Sequence, residues 1–321
     1  EYDIFFSHSS LDHPQIEPIL KLLQKKGLRI WYDDTELLDY EEITKSIELG
    51  LANSKILLSF YSQNYPQSRA CQYELTSALI AAHRIGNRPN RILVINPEQT
   101  YDHIHPVELR DQSQPNCYFI SGDLDTLVDI ISERVHRINT KFGEILNRQT
   151  IRWYGKTGLG SRRFVGRIPT MWSIHSALHA SSFYFISKTH APPIVQIIGM
   201  GGIGKSLIAE EYALWFATSF PGGIFWLNAF GNNEEKNAST PEDREAERIR
   251  QFLNIAVQYG IIAENKKTDE IIAEFNNQIA QRNLPFLWIV DDIPIGMTRF
   301  ELEKWFAPTG SQGRTLITTR T

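Results

Sequence analysis

Cysteine is scarce in this chain: its 321 residues contain two, Cys71 and Cys117. Two thiols make neither a disulfide framework nor a paired zinc-ligand pattern. That excludes a disulfide-stapled secreted fold and sets the expectation of a reducing cytoplasm. Charge of one sign is not in excess either. Lys and Arg number 33 against 37 Asp and Glu, a net charge of −4, so no basic field favours nucleic acid and no direct nucleic-acid partner is expected. No apolar run approaches the roughly 20 residues of a membrane-crossing helix, no signal peptide opens the chain, and no membrane partner is expected. What remains is ordinary globular composition, 42% hydrophobic and 22% charged, at a length that suggests about two domains. The chain opens at Glu1 without a methionine and stops just after a strand-like run; the expectation is a fragment of a longer protein.

The stretch that organises the rest is Ile194–Ser206, IVQIIGMGGIGKS. A β-branched apolar run stops at Gly199. Gly201, Gly202 and Gly204 follow, then Lys205, Ser206 and an apolar helix pattern opening at Leu207. Strand, glycine-rich turn and helix, with Gly199 and Gly204-Lys205-Ser206 at the required spacing, make a phosphate-binding loop. Glycines let backbone N–H groups close around phosphate oxygens. The helix adds its positive end, Lys205 reaches the β- and γ-phosphates, and Ser206 ligates Mg²⁺. ATP or ADP with Mg²⁺ is the expected ligand. Further on, FLWIV (286–290) ends in Asp291-Asp292, an apolar strand running into acids as in a Walker B segment. Asp291 is assigned to Mg²⁺ and Asp292 to the attacking water; the competing reading is a pair of turn acids. Arg320, just past the strand RTLITT (314–319), is placed to meet a γ-phosphate.

Upstream, strand and helix patterns alternate over residues 1–139. YDIFFS (2–7), LRIWY (28–32), ILLSFY (56–61), RILVI (91–95) and CYFI (117–120) read as strands. Helical spacing appears between them, most clearly where Leu124, Leu127, Val128, Ile131, Val135 and Ile138 form one stripe. Alternation predicts an α/β domain with a doubly wound parallel sheet, whose ligands bind beyond the C-terminal strand ends. Ser7–Ser10, the acidic loop Asp33–Tyr40 and Ser62–Arg69 all belong to that edge. Exposed Leu37 and Leu38 within the acidic loop suit an interface; a solvated acidic loop is the alternative.

Three separated motifs, YDIFFSHSS (2–10), Trp31-Tyr32-Asp33 and SQNYPQSRACQYEL (62–75), resemble a Toll/interleukin receptor (TIR) domain over residues 1–139. The last motif departs from the family in one place, with Ala70 where Trp is common before the Cys. The resemblance implies a flavodoxin-like sheet and one of two roles: cleavage of NAD⁺ at the nicotinamide–ribose bond, or assembly with other TIR domains as an adaptor. In cleaving members the catalytic residue is the glutamate of the third motif, which is Glu74 here. Nicotinamide leaves a cationic nitrogen as a neutral molecule and needs no general acid, so one carboxylate facing an oxocarbenium-like ribose is sufficient. From spacing alone Glu74 reads as a solvated residue flanking the stripe Cys71, Leu75, Ala78 and Ala82. Phe6, Ser7, Trp31 and Tyr65 are further NAD⁺-binding candidates, with aromatics available to stack on nicotinamide or adenine.

Residues 140–163 lose periodicity around GKTGLGSRR and read as a linker. Gly155-Lys156-Thr157 is discounted as a phosphate loop because no apolar strand and no upstream glycine precede it. From 164 to 321, FVGR (164–167), GMGGIGKS, FLWIVDD and GRTLITTR resemble the NB-ARC class of STAND signal-transduction ATPases, a P-loop NTPase α/β domain. The resemblance places Val165 and Arg167 near adenine. It implies a switch in which ADP holds a closed monomer and ATP permits oligomerisation, with a trigger bound by a C-terminal sensor outside this sequence. The two resemblances together describe an NLR-like immune receptor fragment, with GIFWLNA pointing to a bacterial antiphage protein. Self-association through both domains completes the NAD⁺ site in that reading. A non-enzymatic TIR scaffold and a plain NTPase are the rivals.

Overall fold

The computed structural model describes residues 1–32, 40–84, 91–105, 107–110, 117–119, 123–145, 151–161, 167–179, 193–229, 240–308 and 311–320. Most of the acidic loop Asp33–Tyr40, together with Val165, lies outside them. The chain divides into two compact units, Glu1–Asn147 and Arg148–Thr321.

In the first unit β1 (Tyr2–Ser7), α1 (His13–Lys25), β2 (Ile30–Trp31), α2 (Tyr40–Ala52), β3 (Ser54–Phe60), α3 (Arg69–Arg84), β4 (Ile92–Asn96), β5 (Cys117–Phe119) and α4 (Leu124–His136) alternate. The strands pair in parallel in the order β2-β1-β3-β4-β5. The strand order turns at β1/β3, where flavodoxin-like sheets hold their ligands. The two-residue period assigns the faces. Ile4, Phe6, Ile56, Leu58, Phe60, Leu93 and Ile95 are buried with Ile16, Ile19 and Leu23 of α1 and Leu127, Val128, Ile131 and Val135 of α4. Each such side chain contributes about 1.5–3 kcal/mol on burial. Phe5 and Ser7 therefore point to the other face, where α2 and α3 pack. Asp3 bridges the N-terminal ends of three strands through Arg29 (3.2 Å) and Lys55 (2.8 Å). β2 is shorter than the LRIWY run because only Ile30 and Trp31 find partners, Ile4 and Phe5.

In the second unit β6 (Trp153–Tyr154), α5 (Ile168–His179), β7 (Ile194–Ile198), α6 (Lys205–Trp215), β8 (Ile224–Asn228), α7 (Pro241–Tyr259), α8 (Thr268–Arg282), β9 (Phe286–Ile293), α9 (Arg299–Glu303) and β10 (Gly313–Thr319) follow in turn. Five parallel strands run β6-β8-β9-β10-β7. Phe225, Leu227, Phe286, Trp288 and Val290 meet Phe252, Ile255 and Phe275 of α7 and α8 in one core, while α5 and α6 pack against β7, β9 and β10. α7 starts as its sequence dictates: Thr240 caps the N–H of Asp243 at 3.1 Å, with Pro241 in the first turn.

The span 140–163 is not a free connector. Its beginning is sewn to the first unit, where Arg91 donates to the carbonyls of Lys55 (2.9 Å) and Thr140 (2.7 Å), and Phe142 N–H donates to Ser54. Farther along it supplies β6, paired to β8 through Trp153 and Tyr154. A two-residue aromatic strand is too short to leave a periodic signal. A short strand therefore does precede Gly155-Lys156-Thr157.

Candidate functional sites

Ser7 closes β1 at the turning point of the first sheet, and its side chain faces α3. Its Oγ donates to Glu74 Oε2 at 2.5 Å and lies 2.7 Å from the Tyr65 hydroxyl. A serine hydroxyl carries one hydrogen, and here it goes to the carboxylate. The Tyr65 hydrogen therefore points at Ser7, with the Cys71 carbonyl at 3.3 Å as its other acceptor. Tyr65 is fully buried. That burial, reinforced by neighbouring Cys71 and Glu74, raises its pKa well above the ordinary phenol value, so it stays a neutral donor. The result is a relay from Tyr65 through Ser7 to Glu74 that fixes one carboxylate oxygen.

Tyr65 is held in turn by the segment after β3. Its ring packs on Tyr61 at 4.3 Å, and Gln72 Nε2 donates to its carbonyl at 3.3 Å. Asp12, completely buried in the turn after β1, accepts from Ser62 Oγ (2.5 Å) and Asn64 Nδ2 (2.7 Å). One carboxylate thus ties the loop after β1 to the loop that presents Tyr65. The sequence reading passed over Asp12 because nothing in its spacing distinguishes it from a surface acid.

Glu74 is 7% exposed, which corrects the reading of a solvated helix flank. Gln72, Thr76 and Ser77 are buried beside it. α3 is enclosed on more sides than a one-stripe helix, so polar residues are internal there. The structure brings Ser7 and Tyr65 to Glu74, but not Phe6 or Trp31. Phe6 is the neighbour of Ser7 on a pleated strand and so sits on the opposite face, in the α1/α4 core. Trp31 stacks on Phe5 at 4.2 Å with planes 19° apart. Gly50 of α2 lies against it so closely that a Cβ there would come within 2.6 Å of the indole. Phe6 is a packing residue, whereas Trp31, packed on Phe5 and Gly50, is only half-buried.

A second constellation gathers at the C-terminal end of β7. Gly202 and Gly204 take left-handed φ of +75° and +89°, and α6 begins at Lys205. The Lys205 ammonium folds back onto the carbonyls of Gly199 (2.7 Å) and Met200 (2.8 Å). Although β10 separates β7 from β9, the two motifs meet: Ser206 Oγ donates to Asp291 Oδ1 at 2.8 Å. Thr318 of β10, absent from the sequence reading, joins the acids by donating to Asp291 Oδ1 (2.6 Å) and accepting from Asp292 N–H (2.8 Å). Asp292 has a left-handed φ of +57°, and Arg320 Nε lies 3.7 Å from its carboxylate. The Arg320 guanidinium carbon is 3.9 Å from where a Gly201 Cβ would sit. Arg167 Nη2 donates to the carbonyl of Ile203 (3.0 Å), and Leu207 is 38% exposed on the first turn of α6. No cluster of three or more His, Cys, Asp or Glu occurs among the described residues. The oxygen pair Ser206–Asp291 nonetheless fits Mg²⁺, which takes few protein ligands and completes its shell with phosphate and water. No helix among the described residues is long and apolar enough to cross a membrane.

Comparison with known proteins bears on the first unit. Residues 4–118 match the TIR domain family model. A probable 2' cyclic ADP-D-ribose synthase, TcpO of Methanobrevibacter olleyae, is 31% identical over 43% of this chain and 39% of its own length. The 2' cyclic ADP-D-ribose synthase AbTIR of Acinetobacter baumannii is 33% identical over 27% of this chain and 33% of its own. The NAD(+) hydrolase TirS of Staphylococcus aureus is 26% identical over 43% and 48%. The chain thus spans less than half the length of these relatives. With its five-stranded parallel sheet, its order of elements and the matched residues, the N-terminal part of this chain is a TIR domain.

Proposed function

We propose that this chain cleaves NAD⁺ at the nicotinamide–ribose bond in its TIR domain, under control of nucleotide bound in its second unit. The carrying observation is the 2.5 Å hydrogen bond from Ser7 to Glu74 at the turning point of the sheet. It presents an oriented carboxylate where such folds bind ligands. The names of the relatives, NAD(+) hydrolase and cyclic ADP-D-ribose synthase, support the same substrate.

In the reaction, the C1'–N bond breaks and its electron pair goes to the pyridinium nitrogen, so nicotinamide departs neutral. The ribose is left as an oxocarbenium ion. Glu74, fixed by Ser7 and Tyr65, accepts from ribose hydroxyls and stabilises that charge. Water captures the cation and loses its proton, giving ADP-ribose. Capture by one of the molecule's own hydroxyls gives a cyclic product.

The second unit acts as an NB-ARC-like switch of the STAND class. ATP or ADP is held by Gly199, Gly201, Gly202, Gly204, Lys205, Ser206 and Leu207, with Val165 and Arg167 toward the base. Mg²⁺ sits on Ser206 and Asp291, Asp292 orients water, and Arg320 reads the γ-phosphate. Nucleotide exchange permits self-association in the cytoplasm once a sensor outside this sequence meets its trigger. Assembly raises the effective concentration of TIR domains. Wild type and Glu74→Gln, each with ATP and Mg²⁺ at high protein concentration, are compared for nicotinamide release. Loss of about 100-fold or more in the variant, with unchanged thermal unfolding, is expected. Equal release by both overturns the assignment, and product analysis separates ADP-ribose from its cyclised form.

A further inference from the structure

The discounted GKTGLG segment is among the most firmly held loops of the second unit. Lys156 Nζ donates to Glu210 Oε2 at 2.6 Å and lies 4.1 Å from the centre of the Trp226 ring. The N–H groups of Leu159 (2.8 Å) and Gly160 (2.9 Å) both donate to Glu210 Oε1, and that of Ser161 donates to Glu211. Gly155 N–H is bound by Gln258 at 2.8 Å. Both glutamates are buried, on the second turn of the helix that begins at the phosphate loop. Burial pushes the Glu210 carboxyl up, but Lys156 and the two amides outweigh it and leave its pKa below the ordinary value.

Helical spacing puts Leu207, Glu210, Glu211 and Leu214 on one stripe. Residues 156–161 cover the far end of that stripe, where a Cβ on Gly160 would meet Leu214 at 2.9 Å. Arg167 touches the near end through the Ile203 carbonyl. Between them Leu207 stays 38% exposed, beside Ile203 at 45%. On the nucleotide-binding reading, phosphates on 199–204 would leave the sugar and base to extend along this first turn, over exposed Leu207 and Ile203, toward the strap.

We propose that Glu210 and Glu211 are positioning residues for the nucleoside half of the ligand, acting through the 156–161 strap without touching the ligand. This rests on the nucleotide-binding reading of the second unit. The test uses the full chain and two probes, ADP and inorganic tripolyphosphate, in titration calorimetry. Glu210→Ala is expected to weaken ADP about tenfold while leaving tripolyphosphate unchanged. Glu210→Gln, which keeps an oxygen for the two amides, recovers most of the loss. Lys156→Ala, which leaves the helix intact, gives a smaller loss of the same kind and serves if Glu210→Ala does not fold. Unchanged ADP affinity in these variants, or equal loss of both probes, overturns the proposal. Lys205→Ala marks the other failure: if it takes up both probes as wild type does, or wild type takes up neither, the nucleotide-binding reading itself falls, and this inference with it.

Discussion

The two candidate sites are held in opposite ways. In the TIR domain the polar groups point at the candidate carboxylate. Tyr65 and Ser7 spend their hydrogens toward Glu74, and Asp12 braces the loop behind them. In the second unit the polar groups satisfy one another. Lys205 is bound by its own loop, Ser206 and Thr318 converge on Asp291, and Arg320 pairs with Asp292. On the proposed reading the first site is set before substrate arrives, and its contribution is to transition-state charge. In the second, a phosphate and metal bound as proposed would replace existing contacts, so only the difference between old and new partners would appear as affinity.

This contrast can be broken experimentally, starting where the effect is largest. Ser7→Ala removes the hydrogen bond that orients Glu74. A fall in kcat of about 10–100-fold with KM near wild type is expected in steady-state nicotinamide release. A change confined to KM would make Ser7 a ligand contact and not an orienting residue. Asp12→Ala leaves Ser62 and Asn64 facing a buried gap, and urea unfolding should show a loss of about 2–3 kcal/mol. No loss would mean that the loop after β3 stands without its brace. Thr318→Val keeps shape and removes the link between Asp291 and Asp292. ADP affinity in Mg²⁺ is expected to drop about fivefold, and affinity in EDTA to stay the same. A drop in both conditions would place Thr318 in general packing.

The smallest effect is one of pH. Burial opposes ionisation of Asp3, but Lys55 and Arg29 outweigh it and bring its pKa to about 2. A carboxyl whose folded pKa lies below its unfolded value adds stability above the unfolded pKa, near 4. It loses that stability as pH falls toward 2. Asp3→Asn should therefore flatten the acid limb of TIR-domain unfolding between those values while costing stability at pH 7. Identical acid limbs in the two proteins would show that Asp3 is not the titrating group.

Much of the fold was legible because the central strands of both units are parallel and buried on two faces. Such strands write continuous apolar runs, as in ILLSF and FLWIV. The glycine-rich loop after β7 was legible for a different reason: left-handed turns favour glycine at Gly202 and Gly204 whatever surrounds them. β6 was illegible, since two aromatic residues carry no period and it exists only because β8 offers an edge. The catalytic candidate was legible through a motif, but its surroundings were only half so. Phe6 and Ser7 are adjacent letters, and only the pleat sends one to the core and the other to Glu74. Trp31 is packed by Phe5 and Gly50 yet only half-buried, a balance that its letter in the sequence does not reveal.

By itself the sequence determined local matters: where strands and helices begin, which turns need glycine, which carboxylates and cations are available, and that no long apolar span or disulfide framework is present. Those follow from backbone sterics and hydrophobic periodicity, which act over a few residues. Tertiary structure alone decided which polar groups face each other. Ser7 and Glu74 stand 67 residues apart, and Ser206 and Asp291 stand 85 apart. Their meeting depends on strand order and register, which no local pattern encodes.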